Sequence, residues 1–402
     1  MIWINRFRSA LALTIGAAVL AIALPAGAQA PVTGGQATPQ TRNPAIESQT
    51  TAPGGGTAST PGPKEYLLTV TRPHHLQVID MASNTVLRTC ELPGRMGPGS
   101  LAPAPNGRTV YVLIDGWENV FGINVETCGV EFSAIQSEGD IRTKSFGSMA
   151  VSPDGQELYT VQNRVRWHPD HAEVLEPQLA VYRTADGENA QPVRTFPVDR
   201  RITTMAATRT GKVVMGGADI KEIDPRTGEI RTLAALQNWD RPSWGTPDAF
   251  SMFSLGEQAN EYLLPYTVGQ FKDGSKDPKT AEWWWGMTRV DLATGKFEQT
   301  EFTPLEVVIF NFVSDPKDRN TVYGVFNTLS KYDVKNKKML KRVGIDHSHY
   351  NINISSDGKR LYLGGTANDI AVHDAETLEK TGTIELSGAM GASDLRVLKR
   401  RE

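Results

Sequence analysis

Through most of the chain, short runs of alternating apolar and polar residues come in pairs around a turn of the form x-D-x-x-T-G. The turn, or a close variant of it, recurs around Asp80, Asn124, Arg183, Asp224, Asp291, Asp333 and Asp374. The steps between these positions are 44, 59, 41, 67, 42 and 41 residues, a period of about 40 with two insertions. Period-2 strands repeating at that interval predict the blades of a β-propeller.

A second turn lies between the copies: APNG from Ala104, SPDG from Ser152, TRTG from Thr208, SDPKDRN from Ser314 and SSDG from Ser355. Asn-Gly and Asp-Gly between apolar runs mark hairpins, because glycine takes the positive φ of a tight turn at little cost. Each blade therefore has four strands, a to d, with this turn joining a to b and the x-D-x-x-T-G turn joining c to d. The last full copy places a over Tyr350–Ser355, b over Arg360–Gly364, c over Asp369–Asp374 and d over Thr381–Leu386. One strand, Asp394–Lys399, remains, while the repeat region begins at a strand b, Tyr66–Thr71, with no strand a before it. Pairing the two completes a seventh blade, closes the ring and removes its sheet edges. The expected fold class is all-β: a seven-bladed β-propeller of YVTN/WD40-like blades over residues 64–402, closed by its N- and C-terminal strands.

Before the ring, Arg6 and Arg8 precede an apolar run from Leu11 to Leu24 and small residues at Ala26, Ala28 and Ala30. The run is shorter than the ~20 residues of a bilayer span and predicts a signal peptide over residues 1–28, cleaved after Ala28, with an uncleaved membrane anchor as the alternative. Residues 29–63, rich in Pro, Gly, Thr, Ser, Ala and Gln, lack the apolar surface to offset ordering entropy and read as a flexible tether. The expected mature chain is exported, with no stable membrane span.

Loss of residues 1–28 removes two arginines and no acid, moving the formal charge from −3 to −5. No basic block remains to neutralise a row of phosphates, so nucleic acid is not an expected partner. Cys90 lies in strand d of the first blade and Cys128 at the c–d turn of the second. In an oxidising compartment that proximity favours a disulfide over two free buried thiols. There is no G-x-S-x-G elbow, phosphate loop, H-E-x-x-H helix or C-x-x-C-H haem motif. The pairs His168/His171 and His347/His349 each lack the third ligand that zinc needs, and no metal site is expected. No catalytic residue is assigned.

In a four-stranded blade the d–a and b–c connections leave one face and the a–b and c–d turns the other. All seven tryptophans beyond Trp3 map to the first face: Trp117, Trp167, Trp239, Trp244, Trp283, Trp284 and Trp285. Exposed aromatics gathered on one rim are the anatomy of an interface core; the alternative is that each caps its own blade. The candidate substrate-channel or partner face is Trp239, Trp244, Asp248, His347, His349 and Tyr350, with Trp283, Trp284 and Trp285 as a second patch.

The run HSHYNINISSDGKRLYLGGTANDIAVHDAETLEKTGTIELSG, the stretch TPDAFSM followed by LLPYT, and SFGSMAVSPDG followed by LAVYRTADG together resemble the β subunit of quinohemoprotein amine dehydrogenase. The resemblance spans about Tyr66 to Glu402 and is densest from His347 to Gly388. It implies a periplasmic heterotrimer that oxidises primary amines to aldehyde and ammonia. A dihaem α subunit carries c-type haem, and a small γ subunit carries cysteine tryptophylquinone. Electrons leave to a soluble acceptor of azurin or cytochrome c type. The β propeller holds no cofactor of its own and helps enclose the quinone site. The long tether and the two cysteines depart from what the resemblance supplies. A methylamine dehydrogenase large subunit and a free-standing secreted binding propeller are the rival readings.

Overall fold

The structure, a computed structural model, describes residues 65–400 except 96, 98, 250–255 and 275; the expected signal and tether segments lie outside these residues. The described chain forms seven antiparallel sheets, the blades of a β-propeller, with two short 3-10 turns and no α-helix. Among the described residues no helix is long and apolar enough to cross a membrane.

The ring closes between its two ends. Glu65–Thr71, strand b of blade 1, pairs with Leu395–Lys399, so that Glu65 faces Lys399 and Thr69 faces Leu395. Blade 7 is a single consecutive hairpin series over Asn351–Ile354, Arg360–Gly364, Asp369–Asp374 and Lys380–Glu385. These bounds lie within a few residues of those expected from the turns alone.

The recurring Asp has a local role. Asp374 accepts the backbone N–H groups of Glu376 and Thr377 at 3.0 and 2.7 Å, and Asp291 those of Ala293 and Thr294, both at 2.9 Å. A short acceptor two residues before the bend replaces the hydrogen bonds the turn cannot make for itself. In blade 2 the same slot is Asn124, which serves Glu126 and Thr127.

The insertions do not form loose loops. Strand b of blade 3 runs eleven residues, Glu157–Trp167, past the ring's edge. Its outer half pairs with Ile141–Lys144 on one side and Ala172–Val174 on the other. In blade 5 strands Glu261–Gln270 and Glu282–Asp291 pair over all ten residues. Extending an existing ladder satisfies backbone polar groups that an irregular excursion would leave to solvent.

The core lies between neighbouring blades. Tyr66, Leu68, Val78 and Cys90 of blade 1 pack on Val112, Phe121 and Ile123 of blade 2, and like clusters follow around the ring. In six of the seven blades the c–d ladder also carries a register shift, for example between Val372 and His373. Such bulges add local twist.

Cys90 and Cys128 form a disulfide between blades 1 and 2, with Cα atoms 5.2 Å apart. Cys128 stands where the x-D-x-x-T-G turn elsewhere has glycine. It has the φ of +60° that the position demands, and its N–H reaches Asn124 O at 2.8 Å. A side chain is accepted there at a conformational cost that glycine avoids.

Candidate functional site

The seven tryptophans lie on or beside d–a and b–c connections, but their roles differ. Trp167 and Trp283 are 58% and 41% exposed. Trp117 is half-buried, tilted against Phe146 with ring centres 5.7 Å apart. Trp285 is 5% exposed; its Nε1 donates to Val307 O at 2.9 Å and its ring meets Phe312 edge-on. Trp285 is thus a core residue and not part of an exposed patch, because the c strand that carries it turns it toward blade 6. Trp284 is half-buried in the cluster around Tyr262, Tyr266 and Val268.

Trp239 and Trp244 belong to the d–a connection between blades 4 and 5 and are organised by Arg241. Its guanidinium lies 4.6 Å from the Trp239 ring centre and 4.3 Å from that of Trp244. It also forks onto Glu301 at 2.8 and 3.3 Å, and Glu301 accepts the Tyr266 hydroxyl at 2.9 Å. Burial first, and then the Glu301 carboxylate, hold the Tyr266 phenol far above its usual range. Asp219 fixes the start of the loop by accepting Leu236 N–H at 2.7 Å and the Asn238 side-chain amide at 2.6 Å. Both tryptophans are half-buried against blade 5, so their first duty is to pack this loop. Sequence reasoning missed Arg241, Glu301 and Asp219. The signal was present in W-D-R-P-S-W, where a cation sits between two indoles. Asp248 is exposed and pairs through its backbone with Thr267.

The d–a connection between blades 6 and 7 places His347, His349 and Tyr350 side by side. His347 Nε2 lies 3.0 and 3.1 Å from the two Asp369 carboxylate oxygens, and Nδ1 lies 3.1 Å from Ser348 O. The Thr366 hydroxyl lies 3.4 Å from the same Nδ1, and the Asp369 carboxylate favours the protonated ring. Burial opposes that charge, but the bonds to Asp369 and Ser348 outweigh it and raise the pKa above the usual value. The His349 ring lies tilted against that of His347, with centres 4.2 Å apart, and is buried; burial, and then the charge on His347, hold it neutral down to about 4. His349 therefore offers no surface to a partner, contrary to its expected place on the face. Tyr350 is half-exposed and stacks on Phe310 at 4.5 Å and Phe326 at 6.0 Å. His168 and His171 stack at 4.3 Å on the blade 3 extension, with His168 on Glu173. Among the described residues no three His, Cys, Asp or Glu side chains gather as a metal cage.

The aromatic face thus has two parts: Arg241, Asp219 and Asp369 fix the two d–a loops, one of which presents Tyr350, while Trp167 and Trp283 project from the extended strands of blades 3 and 5. The opposite face carries the short a–b and c–d turns.

No protein-family model matches the chain, and no curated protein matches it in sequence. Among solved structures it is similar to a functionally unknown protein from Desulfotomaculum acetoxidans, with 11% identity, a TM-score of 0.53, and 84% of this chain and 99% of that one covered. It is also similar to the dihydro-heme d1 dehydrogenase NirN, with 13% identity, a TM-score of 0.50, and coverage of 86% and 77%. A hydrazine synthase chain from Kuenenia stuttgartiensis aligns with 14% identity, a TM-score of 0.49 and coverage of 78% and 90%. At these identities the likeness extends to the propeller fold.

Proposed function

We propose that this chain is the cofactor-free β subunit of a periplasmic amine dehydrogenase of the quinohemoprotein type. The observation that carries the reading is the run from His347 to Gly388. The residues that resemble that subunit most densely make up one complete blade together with the His347–Asp369 junction on the loop face. In support, the fold is the single closed ring that the resemblance implies, and the loop face carries half-exposed aromatics on rigidly held loops.

On this reading the chain's own residues do no bond-making. Tyr350, Trp283 and the Arg241-pinned loop supply a rigid apolar wall. Such a wall excludes water and orients an amine against a cofactor held by another chain, an effect that can lower a barrier by several kcal/mol. Cysteine tryptophylquinone and c-type haem would sit in the small and dihaem partner subunits, with a soluble acceptor beyond them.

The test is affinity purification of the tagged chain from periplasm, with partners identified by mass spectrometry and absorbance. A stoichiometric c-type haem protein and a small quinone-bearing chain are expected. Recovery of the chain alone, or with a quinone subunit and no haem protein, would overturn the reading.

A further inference from the structure

The mouth of the axial shaft on the short-turn face, remote from the aromatic loops, holds a cavity of about 310 Å3. Pro103, Ala104 and Pro105 of blade 2 form an apolar side of it, and the closing strand contributes Arg396, Lys399 and Arg400. A second cavity of about 140 Å3 shares Pro103, Glu257 and Arg396 and continues past the small side chains Ala102, Ala150 and Ala206.

Two observations give this space a chemistry. Gln258 lines it and is 8% exposed, yet its Nε2 and Oε1 are both buried with no hydrogen-bond partner among the described residues. A buried carboxamide left unpaired costs ~1–3 kcal/mol, and a ligand acceptor paired with its Nε2 would offset part of that cost. The second is charge. Glu257 is committed to Arg396, to Asn353 Nδ2 at 2.8 Å and to Val397 N at 2.9 Å. Arg400 pairs with Glu126 at 3.1 Å, whereas Lys399 has no ion-pair partner among the described residues. Three cations and one carboxylate line the cavity, and that carboxylate is already spent.

We propose that this axial cavity binds a small aliphatic carboxylate. Its oxygens accept hydrogen bonds from the Gln258 amide and from Lys399, and its alkyl chain lies along Pro103–Pro105 toward the alanine-lined shaft. Such a ligand bridges the closing strand of blade 1 to blades 2 and 5, and therefore binds the closed ring and not the unfolded chain. The site is independent of the amine dehydrogenase reading.

Isothermal titration of the full mature chain with acetate, butyrate and hexanoate tests this, with hexylammonium and sulfate as controls. Saturable carboxylate binding is expected, tightening several-fold for each pair of added methylenes, as burial of apolar surface requires. Ligand-induced thermal stabilisation should follow the same order. Lys399→Ala, at an exposed position, and Gln258→Leu should each weaken hexanoate about tenfold or more, the loss of one good polar contact. Either variant that melts with the parent's profile keeps the comparison valid. Absence of saturable binding at about 10 mM, equal binding of acetate and hexanoate, equal binding of sulfate or hexylammonium, or unchanged hexanoate affinity in both variants would each overturn the proposal.

Discussion

Asp394 accepts the backbone N–H of Leu101 through Oδ2 at 2.8 Å, tying the segment that closes blade 1 to the inner strand of blade 2. Beside it, Ser393 Oγ accepts Gly99 N–H at 3.0 Å. The last strand is thus latched to a neighbouring blade as well as laddered to its own. Deleting residues 394–402 should expose the edge of Glu65–Thr71 and abolish cooperative folding. A deletion variant that melts within a degree or two of the parent would contradict the closure.

The latch gives stability a pH dependence. Burial raises the Asp394 carboxyl to about 6, with Arg396 partly opposing it. The folded state therefore holds this proton at pH values where the unfolded chain, near the usual ~4, has released it. Stability contributed by the protonated group is present below about pH 4 and is lost as pH rises toward 6, to a total of roughly 3 kcal/mol. Asp394→Asn keeps an acceptor for Leu101 and removes the titration. Chemical denaturation across pH 4–7 should show that the variant lacks this fall and is at least as stable as the parent at pH 7. The same slope in both proteins would rule out Asp394 as its source.

The Cys90–Cys128 bridge spans a sequence separation of 38 residues. In the chain-entropy account a loop of that size is worth roughly 3–4 kcal/mol. The double variant Cys90→Ala/Cys128→Ala should lose about that much. Cys90→Ala/Cys128→Gly should recover up to ~1 kcal/mol of it, because position 128 has positive φ. Equal stability of the two variants would mean that the turn carries no conformational cost.

Arg241 should matter through the loop it pins. Arg241→Met leaves the Glu301 carboxylate, 7% exposed, with Tyr266 as its one side-chain partner among the described residues. Removing one member of a buried pair costs ~3–5 kcal/mol, discounted here because Arg241 itself is 39% exposed. A loss of ~2 kcal/mol with restoration by Arg241→Met/Glu301→Gln is expected in urea unfolding. No loss in the single variant would show that the cation and carboxylate are independent.

Affinity for partners should depend on what the loops present. Trp283→Ala, at an exposed ring, is expected to weaken assembly by ~2 kcal/mol without moving the melting temperature. Lys359→Ala, beside the turn at Ser355–Gly358 on the other face, should leave binding unchanged. Trp239→Ala, by contrast, should lower stability first. Equal losses from both faces in surface plasmon resonance would remove the assignment of the face.

The ring was legible because its information is local and repeated. Asp374 and Asn124 specify their own turns through contacts two and three residues away, and alternation fixes which side of each strand is buried. What escaped the sequence depends on partners far along the chain. The Arg241–Glu301 pair spans 60 residues, and the burial of Trp285 and His349 follows from which neighbouring blade each side chain meets. The strand pairing of the blade 3 insertion, Ile141–Lys144 against Asn163–Arg166, was not legible because it carries no turn signal of the repeating kind. Gln258 shows the same limit: nothing in E-Q-A-N announces an unpaired amide on the axial shaft.

The most direct test of the functional account is amine oxidation measured with and without this chain. The isolated mature protein should have no absorption band above 300 nm and no turnover of primary amines. Activity should appear when it is combined with the proposed haem and quinone subunits, and a strain lacking the gene should fail to grow on primary amines. A visible chromophore or turnover in the isolated chain, or wild-type amine oxidation in its absence, would contradict the account.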